Sequence, residues 1–220
     1  MKTYIITDAL SSLGRSLSVE LAKQNHSLIL SGDNYSELEK LLEEINEMSS
    51  VHHEVFLLEQ SKEIDWLNMV EKIDSTFDGL DGIVFIHSIH TENNSIYDVS
   101  YDEFNRLMHE HAWGAYLGIR TLRNLLRDGE RAEIINVVEP TTDDVFEHNL
   151  YYTITGAIKG LTKSMTEELS KEDIDVYTLS YRPKNSEDTF ETNDVSATRI
   201  ILEILEGNSS YQPGKSITIH

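Results

Sequence analysis

The sequence contains no cysteine, few basic residues and no long apolar run. The absence of cysteine from all 220 residues excludes disulfides and thiolate chemistry and is typical of a cytoplasmic protein. Lys and Arg total 18 against 39 Asp and Glu, and the resulting net charge of −21 argues against binding to nucleic acid or to an anionic membrane. No apolar stretch approaches the ~20 residues of a transmembrane helix. We therefore expect a cytoplasmic protein without a membrane span or a nucleic-acid partner.

Short apolar runs alternate with helical patterns along the whole chain. The predicted strands lie at 3–7, 27–31, 53–58, 82–88, 133–138, 175–180 and 216–219. The predicted helices lie at about 12–26, 34–48, 62–77, 101–127, 151–172 and 192–206. Several strands are continuously apolar, as in sheets that are covered on both faces. This alternation predicts one α/β domain over 1–220, a doubly wound, Rossmann-like parallel sheet of about seven strands with helices on both faces.

Several segments of the sequence resemble the short-chain dehydrogenase/reductase family. The most specific is "YYTITGAIKGLTKSMTEELSKEDIDVYTLS" at 151–180; "DGIVFIHS", "YDEFNRLMHEHAWGAYLGIRTL" and "AEIINVV" match family segments in pattern. The resemblance covers essentially the whole chain. It implies an oxidoreductase that uses NAD or NADP at the carboxyl ends of the strands.

The family's phosphate loop, TGxxxGxG, aligns with Thr7 to Gly14 and has lost two of its glycines. The resemblance assigns cofactor contacts to Thr7, Ser12, Leu13 and Gly14, with Asp8 and Ser12 at the first two glycine positions. A carboxylate ~5 Å from a pyrophosphate would cost about 1–3 kcal/mol, so we expect weak dinucleotide binding. The alternative is an ordinary strand–helix turn in which Ser11 or Ser12 caps the helix.

Two further stretches bear on the cofactor. Asp33 follows the second predicted strand, where an acidic residue binds ribose hydroxyls, so NAD is favoured over NADP if either binds. Alternatively, Asp33 caps the helix that begins near Tyr35. The family's NNAG aligns with 85–88, Phe-Ile-His-Ser, and these larger side chains are expected to crowd the nicotinamide pocket or to extend a buried strand.

The catalytic residues of the family are mostly replaced. The resemblance puts Tyr151 at the position of the catalytic Tyr and Thr155 at that of the Lys that lowers its pKa. Without an ammonium group nearby, a phenol keeps a pKa of about 10 and is a poor acid–base catalyst at neutral pH. Lys159 lies one turn further along the same helix face and is the candidate replacement. A second register, Tyr152 with Lys159, imitates the wider spacing of the family's enoyl reductases.

The remaining two catalytic positions hold a carboxylate and an imidazole. The family's Ser aligns with Glu139, with Val138 as the other candidate, and its Asn aligns with His111. His111 and Glu139 are a candidate acid–base pair, in which the carboxylate fixes the imidazole tautomer. A metal site that also uses His87 is a weaker alternative, and no metal is predicted. The remaining interpretation is a former active site filled by polar side chains.

The segment from Lys184 to Asn193 is too short for the two-helix lid that covers substrate in the family. The resemblance also implies homo- or hetero-oligomerisation through the helices near 101–127 and 151–172. We therefore predict a divergent family member that has lost conventional hydride transfer and acts as a scaffold or partner subunit. The alternatives are an active NAD(P)-dependent carbonyl or alcohol oxidoreductase that uses Tyr151, and a non-redox lyase or isomerase that uses His111 and Glu139.

Overall fold

A computed structural model gives the structure of the protein and describes residues 1–91, 95–126, 131–138, 149–181 and 193–219. The strands are β1 (Thr3–Ile6), β2 (Ser27–Gly32), β3 (Glu54–Leu57), β4 (Gly82–Ile86), β5 (Ala132–Val138), β6 (Ile174–Ser180) and β7 (Ser216–Thr218). The α-helices are α1 (Ser12–Lys23), α2 (Tyr35–Met48), α3 (Glu63–Thr76), α4 (Tyr101–Leu107), α5 (Gly114–Leu122), α6 (Asn149–Leu169) and α7 (Asn193–Leu205).

The seven strands form one parallel sheet in the order β3-β2-β1-β4-β5-β6-β7. The chain adds strands on one side of β1 as far as β3 and then continues from β4 on the other side. The crossover direction therefore reverses between β1 and β4, which is where sheets of this kind bind ligands. The predicted fold class, a doubly wound, Rossmann-like sheet, is confirmed.

Hydrophobic side chains cover both faces of the sheet. Adjacent residues of a strand point to opposite faces, so Ile6 packs in a cluster with α1, α2 and α7, while Ile5 packs in a second cluster with α3 and α5. Both side chains are fully buried. This explains why the strands read as continuous apolar runs rather than as alternating patterns.

Side-chain caps fix the start of the helices near the carboxyl edge of the sheet. Ser11 accepts a hydrogen bond from the backbone N–H of Gly14 at the start of α1, and Asn34 does the same for Glu37 at the start of α2. Such a cap satisfies one of the free N–H groups of the first helical turn. The predicted cap at Ser11 is thus confirmed, while the role of this turn in cofactor binding stays a prediction.

Two predicted elements differ from the structure near the site. The predicted helix at 101–127 is interrupted by a π-helical segment, Met108–Trp113, between α4 and α5, and a short 3₁₀ turn follows at Arg123–Leu125. The fourth strand ends at Ile86 rather than at Ser88, so two polar residues follow the strand instead of belonging to it. None of the described helices is long and apolar enough to cross a membrane.

Candidate functional site

The carboxyl ends of β1 to β4 open into a cleft of about 920 Å³. That volume lies within the range of sites for small ligands and cofactors. Its charged lining residues in the described part of the chain are Asp8, Asp33, Glu59, Asp65, Glu110 and Arg106. The Arg106 guanidinium is 2.9 Å from the Glu110 carboxylate, and the two charges compensate each other. The other four charged side chains of the lining are carboxylates, so the cleft carries net negative charge.

The turn between β1 and α1 is held by hydrogen bonds and by close packing. The Thr7 hydroxyl accepts a hydrogen bond from the backbone N–H of Ile86 at 3.0 Å, which ties β1 to β4. The Ser11 hydroxyl donates to the carbonyl oxygen of Asp8 at 2.7 Å while it caps α1. A Cβ on Gly14 would lie 2.5 Å from that same carbonyl oxygen, so helix and turn can meet only at a glycine.

Asp8 occupies the position of the first phosphate-loop glycine and keeps the backbone conformation that favours glycine. Its φ is 47°, in the left-handed region, which Asp tolerates better than most residues. The Asp8 carboxylate accepts a hydrogen bond from the hydroxyl of Ser88, the residue at the glycine position of the NNAG motif. Burial and the neighbouring Asp33 raise the pKa of Asp8, while Ser88 and His90 oppose that rise. Two positions at which the resemblance implies glycine are thus joined by one polar contact between neighbouring strand ends.

The other predicted cofactor contacts divide between core and surface. Leu13 is buried in the core beside α1, whereas Ser12 is exposed at the start of that helix. Asp33 is exposed and lines the cleft. The alternative that Asp33 caps the second helix is wrong, because the helix begins at Tyr35 and the adjacent Asn34 provides the cap. The Asp33 carboxylate therefore remains available to a ligand, although its role stays a prediction.

Two buried histidines, His87 and His111, meet beside the cleft, at positions where the resemblance implies the alanine of NNAG and an asparagine. The rings of His87 and His111 meet edge to face, with their centroids 5.7 Å apart. His111 lies within the π-helical segment, lines the cleft and is 5% exposed. Burial, assisted by nearby His87, Arg106 and His90, lowers its pKa to about 3. His111 is therefore a neutral imidazole at physiological pH, and π-helical segments often occur at functional sites.

His87 begins a buried chain of hydrogen bonds that crosses the sheet. Its Nε2 is 3.2 Å from the Oδ1 of Asn136, whose Nδ2 donates to the Thr162 hydroxyl at 3.1 Å. The Thr178 hydroxyl donates to the same Thr162 oxygen at 2.9 Å. Since the Asn136 oxygen accepts, the proton of the neutral His87 ring is on Nε2. Burial lowers the pKa of His87 to about 4, and the chain of partners holds its ring in place.

Helix α6 carries the predicted catalytic Tyr151 and Lys159, with Thr155 one turn after Tyr151 at the position where the resemblance implies a lysine. Tyr151 packs against the hydrophobic cluster that contains Val138 and Ile154. The Thr155 side chain is fully buried, and its hydroxyl has no hydrogen-bond partner among the described residues. Lys159 is half-buried, and burial lowers its pKa. The helix thus has no ammonium group at position 155, where the resemblance implies one. The ammonium group of Lys159 lies one turn further along and is partly desolvated.

Two sequence predictions fall outside the described residues. Glu139 follows β5 directly, and most of the segment from Lys184 to Asn193 precedes α7; residues 139–148 and 182–192 are not described. The acid–base pair of His111 with Glu139 and the shortened lid therefore stay predictions. The assignment of 1–220 to one domain also stays a prediction.

Three acidic residues of the cleft wall, Glu59, Asp65 and Glu110, are not among the residues predicted from the sequence. Glu59 and Asp65 belong to the β3–α3 connection, and Glu110 is on the π-helical segment. Glu110 could have been predicted to pair with Arg106 from the sequence, because the two residues are four positions apart on a helix and form an ion pair. For Glu59, the signal was its position directly after a predicted strand, at the edge where ligands bind.

A second, apolar groove lies on the outer surface between the π-helical segment and α6, with a volume of about 680 Å³. Trp113 and Tyr116 stack there with ring centroids 5.7 Å apart, and they are 39% and 41% exposed. Gly160 lies on the opposite wall, where an added Cβ would meet no other atom within 4 Å. These residues lie within the two predicted association helices.

Comparisons with known proteins agree on the type of fold. The model of the short chain dehydrogenase family matches residues 2–198. A 3-alpha-(or 20-beta)-hydroxysteroid dehydrogenase of Mycobacterium bovis is 27% identical over 179 residues, which cover 74% of this chain and 67% of that protein. The match to the family model spans β1 to β6, including every residue that forms the described cleft.

Two solved structures share this fold with the chain at lower sequence identity. A double mutant of a short-chain dehydrogenase/reductase from Serratia marcescens superimposes with a TM-score of 0.88 at 16% identity, covering 99% of this chain and 96% of that one. A 3-ketoacyl-(acyl-carrier-protein) reductase from Brucella melitensis, complexed with NADH, gives a TM-score of 0.85 at 20% identity, with the same coverage. At this level of identity the likeness concerns the fold.

Proposed function

Because the chain belongs to the short-chain dehydrogenase family, we propose that it is a family member without conventional hydride transfer, which acts as a partner subunit. The observation that carries this proposal is Thr155. A buried hydroxyl without a described partner stands where the resemblance requires a lysine. A threonine at this position supplies no ammonium group, which is the group that in the family lowers the pKa of the tyrosine into the range of an acid catalyst.

The turn after β1 supports the same proposal. In this family the resemblance implies that a pyrophosphate meets glycine backbone at the start of the first helix, and here the Asp8 carboxylate is fixed there by Ser88. The negative charge of the cleft adds to the repulsion. We therefore expect NADH and NADPH to bind weakly, with NADH preferred because the exposed Asp33 disfavours a 2′-phosphate.

The apolar groove supports the partner role. Exposed aromatic residues that flank a groove are enriched at protein interfaces, and Trp113 and Tyr116 present two stacked rings there. A second copy of this chain, or a related subunit, would cover them with the same pair of helices. We expect a Trp113→Glu variant to sediment as a smaller species than the wild type. Tyr97→Glu is the matched control, because Tyr97 is 93% exposed and lies outside the groove.

The direct test of the catalytic proposal is a titration of the protein with NADH and with NADPH, followed by fluorescence and by thermal shift. We expect no saturation at low micromolar concentrations. A Kd in that range for either nucleotide would overturn the proposal. An unchanged sedimentation coefficient for Trp113→Glu would overturn the partner role separately.

One observation favours a second candidate, an NAD(P)-dependent oxidoreductase that uses Tyr151. Lys159 is half-buried with a lowered pKa, on the same stripe of α6, so a cofactor that orders this region could bring its ammonium group towards the phenol. Under this candidate Tyr151→Phe and Lys159→Met both abolish turnover, whereas Lys163→Met, on an exposed position of the same helix, leaves it unchanged. No described contact favours the lyase or isomerase alternative, because it needs Glu139.

A further inference from the structure

Glu133 is a buried carboxyl group at the amino edge of the sheet, where the strands begin, opposite to the cleft. It lies near the start of β5, is 1% exposed, and its Oε2 has no hydrogen-bond partner among the described residues. The Nε of Arg131 is 3.8 Å from its other oxygen. That guanidinium, however, pairs with Asp175 and donates to the Tyr177 hydroxyl at 3.2 Å. An ionised carboxylate in this position would lack the partners that a buried charge requires.

Charged groups from several elements surround Glu133. Burial raises the pKa of its carboxyl to about 7; Lys2 and Arg131 oppose that rise, and Asp175 and Asp81 add to it. The other ionisable groups packed at this edge are the amino terminus, Tyr4 of β1, His26 before β2, Tyr177 of β6 and Glu206 after α7. Glu133 therefore changes its charge near neutral pH, inside a crowded set of charges.

The end of helix α7 lies against this carboxyl group. The carbonyl oxygen of Leu205, the last residue of α7, accepts hydrogen bonds from the Lys2 ammonium at 2.8 Å and from the Tyr4 hydroxyl at 3.1 Å. An added Cβ on Gly82 would lie 2.7 Å from the backbone oxygen of Glu133 and 3.2 Å from the Leu205 side chain, so helix and strand approach each other closely there. Lys2 thus caps α7 while it is near enough to Glu133 to act on its charge.

We propose that Glu133 is a proton-operated latch, which holds the end of α7 against the sheet while it is neutral and loosens it when it ionises. A neutral Glu133 leaves the Lys2 ammonium on the Leu205 carbonyl. An ionised Glu133 attracts that ammonium group, because a buried carboxylate is a stronger acceptor than a carbonyl oxygen. The latch lies at the edge of the sheet opposite to the cleft, and it does not depend on the function proposed above.

The latch makes the stability of the protein fall as the pH rises. The carboxyl ionises near 4.5 in the unfolded chain and near 7 in the folded one, so the folded chain binds more protons between these values. The stability that the neutral Glu133 contributes is fully present below about pH 4.5 and is lost as the pH rises through about 7. His87 and His111 titrate with the opposite sign, so the informative comparison is with a variant that cannot titrate at position 133.

The experiment compares the full-length wild type with Glu133→Gln, which imitates the neutral acid. Urea denaturation at pH 5 and at pH 8 gives the folding equilibrium constant of each protein. We expect the ratio of the variant's constant to that of the wild type to increase at least about tenfold from pH 5 to pH 8. Glu39→Gln, which changes an exposed carboxylate of α2, is the matched control and should give a ratio that is independent of pH.

Hydrogen exchange tests whether the titration reaches α7. The backbone N–H groups of Glu206, Gly207 and Asn208 donate to carbonyl oxygens of the last turns of the helix. From pH 6 to pH 8 their protection, relative to an unstructured chain, should fall at least about tenfold in the wild type and stay constant in Glu133→Gln.

A carboxyl 13C titration of Glu133 in the wild type needs no variant, and we expect its midpoint near pH 7. Three results would overturn the proposal. They are a midpoint near the ordinary value of 4.5, a ratio of folding constants that is independent of pH, and an equal loss of protection at the end of α7 in both proteins. The NADH titration reports on the catalytic proposal alone, and these measurements report on the latch alone.

Discussion

Two parts of the site, a turn half between β1, α1 and β4 and a helix half that comprises His111 and α6, differ in the contacts of their substituted positions. In the turn half, between β1, α1 and β4, the residues at two glycine positions contact each other, since Asp8 accepts a hydrogen bond from Ser88. In the helix half, Thr155 replaces a lysine and leaves a buried hydroxyl without a described partner. The turn half thus holds a polar contact between its two substituted positions, whereas the substituted position of α6 makes no hydrogen bond among the described residues.

The largest expected loss of stability comes from substituting Gly14 in the turn half, with Gly156 in the helix half as the control. Gly14→Ala should lower the free energy of unfolding by about 3 kcal/mol, because the new Cβ would lie within 3 Å of three backbone atoms of Asp8 and Ala9. Gly156→Ala on α6 is the control, because its Cβ would meet nothing within 4 Å and alanine favours a helix by about 1 kcal/mol. Urea denaturation measures both. If both substitutions changed the free energy of unfolding equally, the turn at Gly14 would not be packed more tightly than α6 at Gly156.

Acidification should destabilise the protein through the buried histidine of the helix half. The pKa of His111 is lowered to about 3 in the folded state, below its ordinary value, so the unfolded chain binds more protons as the pH falls below about 6.5. The stability that the neutral His111 ring allows is fully present above about pH 6.5, and the free energy of unfolding then falls progressively towards pH 3. Between pH 7 and pH 5 we expect a loss of about 2 kcal/mol.

The variant His111→Asn isolates this contribution. His87 also has a lowered pKa and destabilises the wild type in acid, so the informative quantity is the difference between the two proteins at each pH. Denaturation at pH 7 and pH 5 should find the Asn variant losing less stability than the wild type. A difference that is independent of pH would mean that His111 titrates normally.

The smallest expected effect compares two threonines of α6. Thr155→Val should be neutral or should stabilise the protein by up to about 1 kcal/mol, because it removes a buried hydroxyl that has no described partner. Thr162→Val should cost about 1–3 kcal/mol, because Asn136 and Thr178 both donate to that hydroxyl. Thermal denaturation ranks the two variants. If Thr155→Val were the more destabilising, its hydroxyl would have a partner and the helix half would not be uncompensated.

Local chemistry could be predicted from the sequence, whereas contacts between distant segments could not. The cap at Ser11 was predictable because it depends on the adjacent turn, and the number and places of the strands followed from the apolar runs. The cap of α2 was misassigned by one residue, to Asp33 instead of Asn34, since neighbouring polar residues compete for the same position.

The features that shape the cleft depend on the folded chain. Asp8 and Ser88 are 80 positions apart, and nothing in either segment alone indicates that they meet. The π-helical segment at 108–113 has the same apolar spacing as an α-helix, so the pattern predicted a continuous helix. His111 lies in this segment, lines the cleft and meets His87, a residue that the folded sheet brings beside it.

The most direct test of the central claim is the affinity for NADH of the wild type and of an Asp8→Gly, Ser12→Gly double variant. If the rebuilt turn excludes the pyrophosphate, removing the carboxylate and the exposed side chain should tighten NADH binding at least tenfold, from a weak starting value. Low micromolar binding by the wild type, with no gain in the double variant, would contradict the account.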